Sequence, residues 1–281
     1  MEIKMNSKTT EKITGILTLA AVILTIVAII MIILLGVRGF KTNEPEGNEK
    51  GTGDKQESEN TETDHTSTPV SSTTLGSTPD YGQTYIDSIV FLGDSTTAHM
   101  RSRGVLKDGK DTKQVWSGEN NTLNLDYNID TTTIIYPETG EKVTIGKAAE
   151  LKKPEYMVIT MGINNGVAYC DETKFKAYYQ KIIDAIKSSS PDTKIMLQSI
   201  FPVTKQKQEE TPSIANSRID NANEWVKQIA EQNNLRYLDT ASILKDSSGN
   251  LKSEYDNGDG LHMTASGYQA LLDYIRTHGY K

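Results

Sequence analysis

The sequence predicts one α/β domain, a mainly parallel β-sheet with helices on both faces, confined to residues 81–281 of a 281-residue chain. Three observations predict it. Short, continuously apolar runs end at glycine or proline, and amphipathic helical periods separate them. Only this part of the chain holds enough large apolar side chains to bury a core. Strands buried on both faces read as unbroken apolar runs, and their alternation with helices marks a parallel sheet with helical crossovers.

The elements follow in order. Ile89-Val-Phe-Leu92, ending at Gly93, reads as a buried strand. Residues 131–145 read as a β-hairpin turning at Pro137-Glu-Thr-Gly140. Tyr156-Met-Val-Ile-Thr-Met161, ending at Gly162, is the second apolar run. Phe175, Tyr179, Ile182, Ile183 and Ile186 share one helix face, with Asp171 placed as N-cap. Lys194 to Phe201, closed by Pro202, is the third run. Ala215, Ile219, Ala222, Val226 and Ile229 mark a helix after Thr211-Pro212, a cap with proline in the first turn. Leu235–Leu238 is a weaker strand, and Tyr268, Leu271, Leu272 and Ile275 mark the last helix.

Three unlike segments precede this domain. Residues 1–12 form a short tail with Lys4, Lys8 and Lys12, expected on the cytoplasmic side. Residues 13–37 carry no charge and would span roughly 37 Å as a helix, enough for a bilayer core. The run exceeds a signal-peptide core and no Ala-x-Ala site follows, so an uncleaved signal-anchor is expected, with the bilayer as partner. The basic tail favours the N-terminus inside and the domain outside the cell membrane. Residues 38–80 are acidic and rich in Ser and Thr, reading as a disordered linker with an r.m.s. reach of about 35–40 Å. Net charge is −7, and no basic stripe with interleaved aromatics offers itself to nucleic acid. Cys170 is the single cysteine, which excludes an internal disulfide.

In such sheets ligands bind at the carboxyl ends of strands. Gly93-Asp94-Ser95 and Gly162-Ile163-Asn164 each follow a strand directly, and Asp259-Gly-Leu-His262 precedes the last helix. A serine hydroxyl needs a base, and the base needs an orienting group. Asp259 sits three residues before His262, so the carboxylate can curl back to Nδ1 and leave Nε2 for Ser95. The side chain of Asn164, with backbone N–H groups, could hold a developing oxyanion.

These blocks resemble the SGNH (GDSL) hydrolase family across roughly Ile86 to Tyr280. The resemblance implies a flavodoxin-like three-layer α/β/α sandwich and a serine esterase needing neither metal nor organic cofactor. It implies Ser95 as nucleophile, with Asp259 and His262 as the other catalytic residues. The oxyanion hole would then be the Ser95 N–H, the Asn164 amide and a glycine N–H, for which Gly118 is preferred to Gly104. Thr96 and Asn165 are candidate substrate contacts. Asn165 stands where many members have aspartate, and Asp94 is expected to anchor the turn. His99, one helical turn past Ser95, competes with His262 but lacks a nearby acid. Trp116 and Tyr169 are weighed between pocket lining and packing. No zinc-binding pattern and no Gly-x-Ser-x-Gly elbow is present.

The expectation is hydrolysis of O-acyl esters outside the membrane, preferably short acyl groups on cell-wall or other surface glycans, with lipid esters as the other substrate. An acyltransferase working with a membrane partner and a catalytically silent wall-binding module are the alternatives. The sequence leaves the oligomeric state open.

Overall fold

A computed structural model of the chain describes residues 73–280. The expected tail, the membrane span and most of the linker lie outside the described residues. Among the described residues no helix is long and apolar enough to cross a membrane.

Five parallel strands form the central sheet: β1 (Ile89–Gly93), β2 (Val115–Trp116), β5 (Tyr156–Thr160), β6 (Lys194–Gln198) and β7 (Arg236–Leu238), in the order β2-β1-β5-β6-β7. Register pairs Leu92 with Trp116 on one side and with Ile159 on the other. A separate antiparallel hairpin joins β3 (Thr133–Ile135) to β4 (Lys142–Thr144). Alternate residues of β1 enter opposite cores. Val90 and Leu92 join Ile145 and Ala148 of α3 (Ile145–Lys152), Phe175 and Tyr179 of α5 (Glu172–Ser189), and Ile219 and Val226 of α7 (Asn216–Gln232). Ile89 and Phe91 join Ile86 of α1 (Gly82–Asp87), Met100 of α2 (Ser95–Arg103), and Tyr268 and Leu271 of α9 (Ala265–Arg276). Both faces of the sheet are therefore covered, which is why its strands carry unbroken apolar runs.

The cap expected at Asp171 is present, and the last helix has a threonine cap not foreseen from the sequence. Asp171 accepts the Lys174 N–H at 2.9 Å to open α5, and Thr264 accepts the Gly267 N–H to open α9. Elsewhere the structure departs from expectation. Pro212 opens only a 3₁₀ turn, and α7 starts at Asn216, whose side chain is committed to the chain leaving β6. Asn216 accepts the Val203 N–H and donates to the Val203 carbonyl, both at 2.8 Å. Asn223 does the same for Ile200, at 2.7 and 3.1 Å. These bonds satisfy backbone beyond Gln198 from a helix, so β6 ends three residues before Phe201.

The packed unit also begins before residue 81. Thr74 bridges Tyr237 on the outer edge of β7, the Leu75 N–H donates to the Tyr237 carbonyl at 2.9 Å, and Leu75 is buried. The last stretch assigned to the linker is thus bonded to a sheet edge that would otherwise stand open.

Candidate active site

Without the hairpin, the strand order in chain sequence is 2-1-3-4-5. The winding reverses between β1 and β5, and the crevice of such a sheet opens at that switch point, beyond the carboxyl ends. Ser95 follows β1 there as the first residue of α2, and Asn164 lies four residues after β5.

Asp94 shapes the turn that presents Ser95. Its Oδ1 accepts the Thr96 N–H at 3.0 Å and the Thr96 hydroxyl at 2.7 Å, and the Ile163 N–H of the loop after β5 helps hold the carboxyl down. Burial pushes the Asp94 carboxyl up to about 6, against the opposing pull of those hydrogen bonds and of His262. Asp94 therefore caps and anchors the Ser95 turn, the structural part expected of it. Tyr268 of α9 fixes the same turn by donating its hydroxyl to the Thr96 carbonyl.

The loop before α9 brings in the other two groups. Asp259 Oδ1 accepts the N–H groups of Leu261 and His262 at 2.9 and 2.8 Å. Partial burial raises this carboxyl, but the two N–H groups, the imidazole hydrogen bond and the His262 charge together hold it at about 2. An ionised carboxylate only accepts, so Nδ1 of His262 carries the proton and donates to Oδ2 at 2.7 Å. Nε2 is then an acceptor, and the Ser95 hydroxyl, 167 residues away in sequence, donates to it at 2.9 Å. Gly260 makes the turn close. It holds φ at 77°, its carbonyl accepts the Thr204 N–H, and a Cβ there would lie 2.6 Å from Thr204 Oγ1.

The expected oxyanion donors stand on the neighbouring strand ends. Ser95 N–H is at the first position of α2, where no intrahelical acceptor exists. Gly118 follows β2, beside β1. The Gly118–Ile134 bridge is held by the Ile135 N–H on Ser117 O, and Arg101 of α2 reaches Ser117 Oγ at 3.3 Å and Asn121 Oδ1 at 2.8 Å. A Cβ at Gly118 would lie 1.9 Å from the Thr122 carbonyl oxygen, so only glycine lets the two backbones approach. Gly104 instead caps the far end of α2, with φ at 65°, away from Ser95. Asn164 is half-buried, and its carbonyl takes the Leu125 and Gly166 N–H groups at 3.2 and 2.9 Å. Asn165 follows with φ at 67°, a strained backbone next to the amide expected to act.

Other expectations fare differently. Thr96 is not a substrate contact: it is buried, and its hydroxyl is spent on Asp94. Trp116 is wholly buried core, whereas Tyr169 is 78% exposed. Burial pushes the half-buried Cys170 thiol up, which keeps it from acting as a thiolate. His99 does not reach Ser95 as a rival base; its ring lies against His262. Among the described residues no three His, Cys, Asp or Glu side chains group to hold a metal ion. Sequence reasoning missed the anchoring roles of Arg101 and Tyr268, which no local pattern signals.

Hydroxyl, imidazole and carboxylate in one hydrogen-bonded series are what serine hydrolases use to form and break an acyl-enzyme. The chain belongs to the GDSL-like lipase/acylhydrolase family, whose model matches residues 91–270, and is accordingly a serine ester hydrolase. No curated protein sequence matches it. Among solved structures it is similar to a Streptococcus pneumonia protein provisionally described as a platelet activating factor, at 21% identity and TM-score 0.51, covering 67% of this chain and 82% of that one. An acetylxylan esterase mutant from Geobacillus stearothermophilus matches at 19% identity and TM-score 0.40, over 69% and 94% of the two chains. An active-site mutant of a family two carbohydrate esterase from Clostridium thermocellum matches at 15% and 0.47, over 67% and 61%. At these identities the first likeness speaks for the fold alone, and the other two carry nothing further.

Proposed function

We propose that this chain is a membrane-anchored esterase that removes short O-acyl groups from cell-surface glycans, with Ser95 as its nucleophile. The observation that carries the reading is the unbroken series from Ser95 Oγ to His262 Nε2 (2.9 Å) and from His262 Nδ1 to Asp259 Oδ2 (2.7 Å). His262 takes the hydroxyl proton as Oγ bonds to the acyl carbon. The carbonyl oxygen gathers negative charge against the Ser95 and Gly118 N–H groups and the Asn164 amide. As the tetrahedral species collapses, His262 returns the proton to the departing alcohol. Water, deprotonated by the same imidazole, then releases the acid and restores Ser95.

Two features support the glycan assignment. The uncharged span 13–37 and the acidic linker behind it suit a domain held outside the bilayer near the surface, N-terminus inside. Tyr169 ends the helical turn Gly166–Tyr169 just past Asn164, and Tyr127 lies two residues beyond Leu125, whose N–H pairs with Asn164. These rings are 78% and 66% exposed, flat apolar faces suited to sugar rings.

The test uses the full-length chain in non-ionic detergent with p-nitrophenyl acetate and butyrate, a fluorophosphonate probe and intact mass. Turnover with one label that Ser95→Ala loses is the expected result. Folded protein that neither labels nor turns over would sink the serine mechanism. Acetate released from O-acetylated surface glycan supports the substrate class, and an acylated acceptor formed in place of free acid would make the enzyme a transferase.

A further inference from the structure

The catalytic imidazole proposed above is covered on one face by a second imidazole. The rings of His99 and His262 lie with centroids 3.9 Å apart and planes inclined by 15°. The edges of His262 are committed to Asp259 and Ser95, so a face is what remains for His99 to meet. His99 sits on α2 one turn past Ser95, so the nucleophile and the ring behind its base ride on one rigid element. Nδ1 of His99 is buried and has no hydrogen-bond partner among the described residues. With that nitrogen idle, the stack itself orients the ring.

We propose that His99 is a positioning residue for the esterase reaction: as a neutral ring it braces His262 and supports the positive charge that His262 acquires during acyl transfer. This rests on the reading of Ser95 and His262 given above. When His262 takes the serine proton it becomes an imidazolium, and the π-face of a neutral aromatic ring attracts a cation lying on it. A protonated His99 would instead set a second positive charge 3.9 Å away and oppose the same step. The surroundings of His99 favour the neutral form. Burial lowers its pKa first, the charges of His262 and Arg103 lower it further, and only Asp259 raises it. Arg103 is pinned there by its Nε–H donating to the Met263 carbonyl at 3.2 Å.

The experiment compares the full-length wild type with His99→Ala and His99→Phe, using p-nitrophenyl acetate from pH 4.5 to 9 and thermal melting. Removing the ring is expected to lower kcat about thirtyfold, the size of a desolvated cation–ring contact, with KM nearly unchanged. Phenylalanine keeps a flat face without a titrating group. It is expected to restore kcat to within about threefold of wild type, with a melting temperature near wild type. On the acid side, log kcat/KM is expected to fall more steeply in wild type than in His99→Phe, because Asp94 and His262 titrate in both proteins but only wild type also protonates His99. A His99→Ala enzyme with wild-type kcat and pH profile would overturn the proposal. So would a folded His99→Phe as slow as His99→Ala, which would assign the role to a ring nitrogen. A wild type without turnover or fluorophosphonate label would remove the parent reading and this one together, an outcome distinct from both.

Discussion

Asp259 and His262 hold each other twice: one carboxylate oxygen accepts the His262 backbone N–H at 2.8 Å, and the other accepts the ring Nδ1–H at 2.7 Å. The backbone bond closes the turn and the ring bond selects the tautomer, so position and protonation of the base are set by one side chain. Asp259→Asn separates the two effects. An amide oxygen can still take the backbone N–H groups, but an NH₂ facing Nδ1 drives the proton to Nε2, which then cannot accept from Ser95. The expected result is a loss of about 10³–10⁴ in kcat with little change in melting temperature. Retention of more than a tenth of the activity would contradict it. Because the carboxyl is held at about 2, its stabilising effect is full above pH 4 and fades as pH falls through 2. Loss of activity between pH 4 and 6 therefore should not be its doing.

Asn164 should matter in the transition state more than in the ground state. Its amide is assigned to the oxygen that becomes charged as Ser95 attacks, so Asn164→Ala should lower kcat by about 10²–10³ and leave KM nearly alone. Steady-state kinetics on p-nitrophenyl acetate decides the matter. A raised KM at constant kcat would make Asn164 a substrate-binding residue and displace it from the oxyanion hole.

Gly118 and Gly104 should part company under substitution by alanine. A Cβ at Gly118 would stand 1.9 Å from a carbonyl oxygen, so the backbone after β2 must move, at a cost of about 1–3 kcal/mol, and activity should fall with it. Gly104 meets no atom nearer than 3.7 Å and suffers only from its φ of 65°, so Gly104→Ala should cost about 1 kcal/mol with catalysis intact. Melting curves and turnover on both variants test the contrast. Equal activity losses would remove Gly118 from its assigned place.

Asp94 should make the fold less stable as pH rises. Its carboxyl is raised from 3.8 to about 6 by burial, so the folded state favours the protonated form. That advantage is complete below about pH 4 and is lost as pH climbs through 6. Asp94→Asn keeps a cap for Thr96 but has no charge to bury. Relative to wild type, the variant should gain on the order of 3 kcal/mol between pH 4 and 7, read by denaturant unfolding at several pH values. Parallel stabilities across that window would refute the account.

Where a signal is local, the residues alone determined the outcome. Unbroken apolar runs located β1, β5, β6 and β7, helical periods located α5, α7 and α9, and the spacing Asp259-x-x-His262 was enough to place a carboxylate on an imidazole, since three residues of turn bring them together. Strands as short as β2 carry no period to read, and Thr73 to Leu75 resemble linker until the edge of β7 supplies their hydrogen-bond partners. The ends of β6 and α7 were likewise decided from outside, by Asn216 and Asn223 bonding to backbone across the core. The tertiary structure alone brought Ser95 to His262 across 167 residues and laid His99 flat on His262. Those contacts join residues far apart in the chain or on packed elements, and neighbouring sequence holds no energy term that reports them.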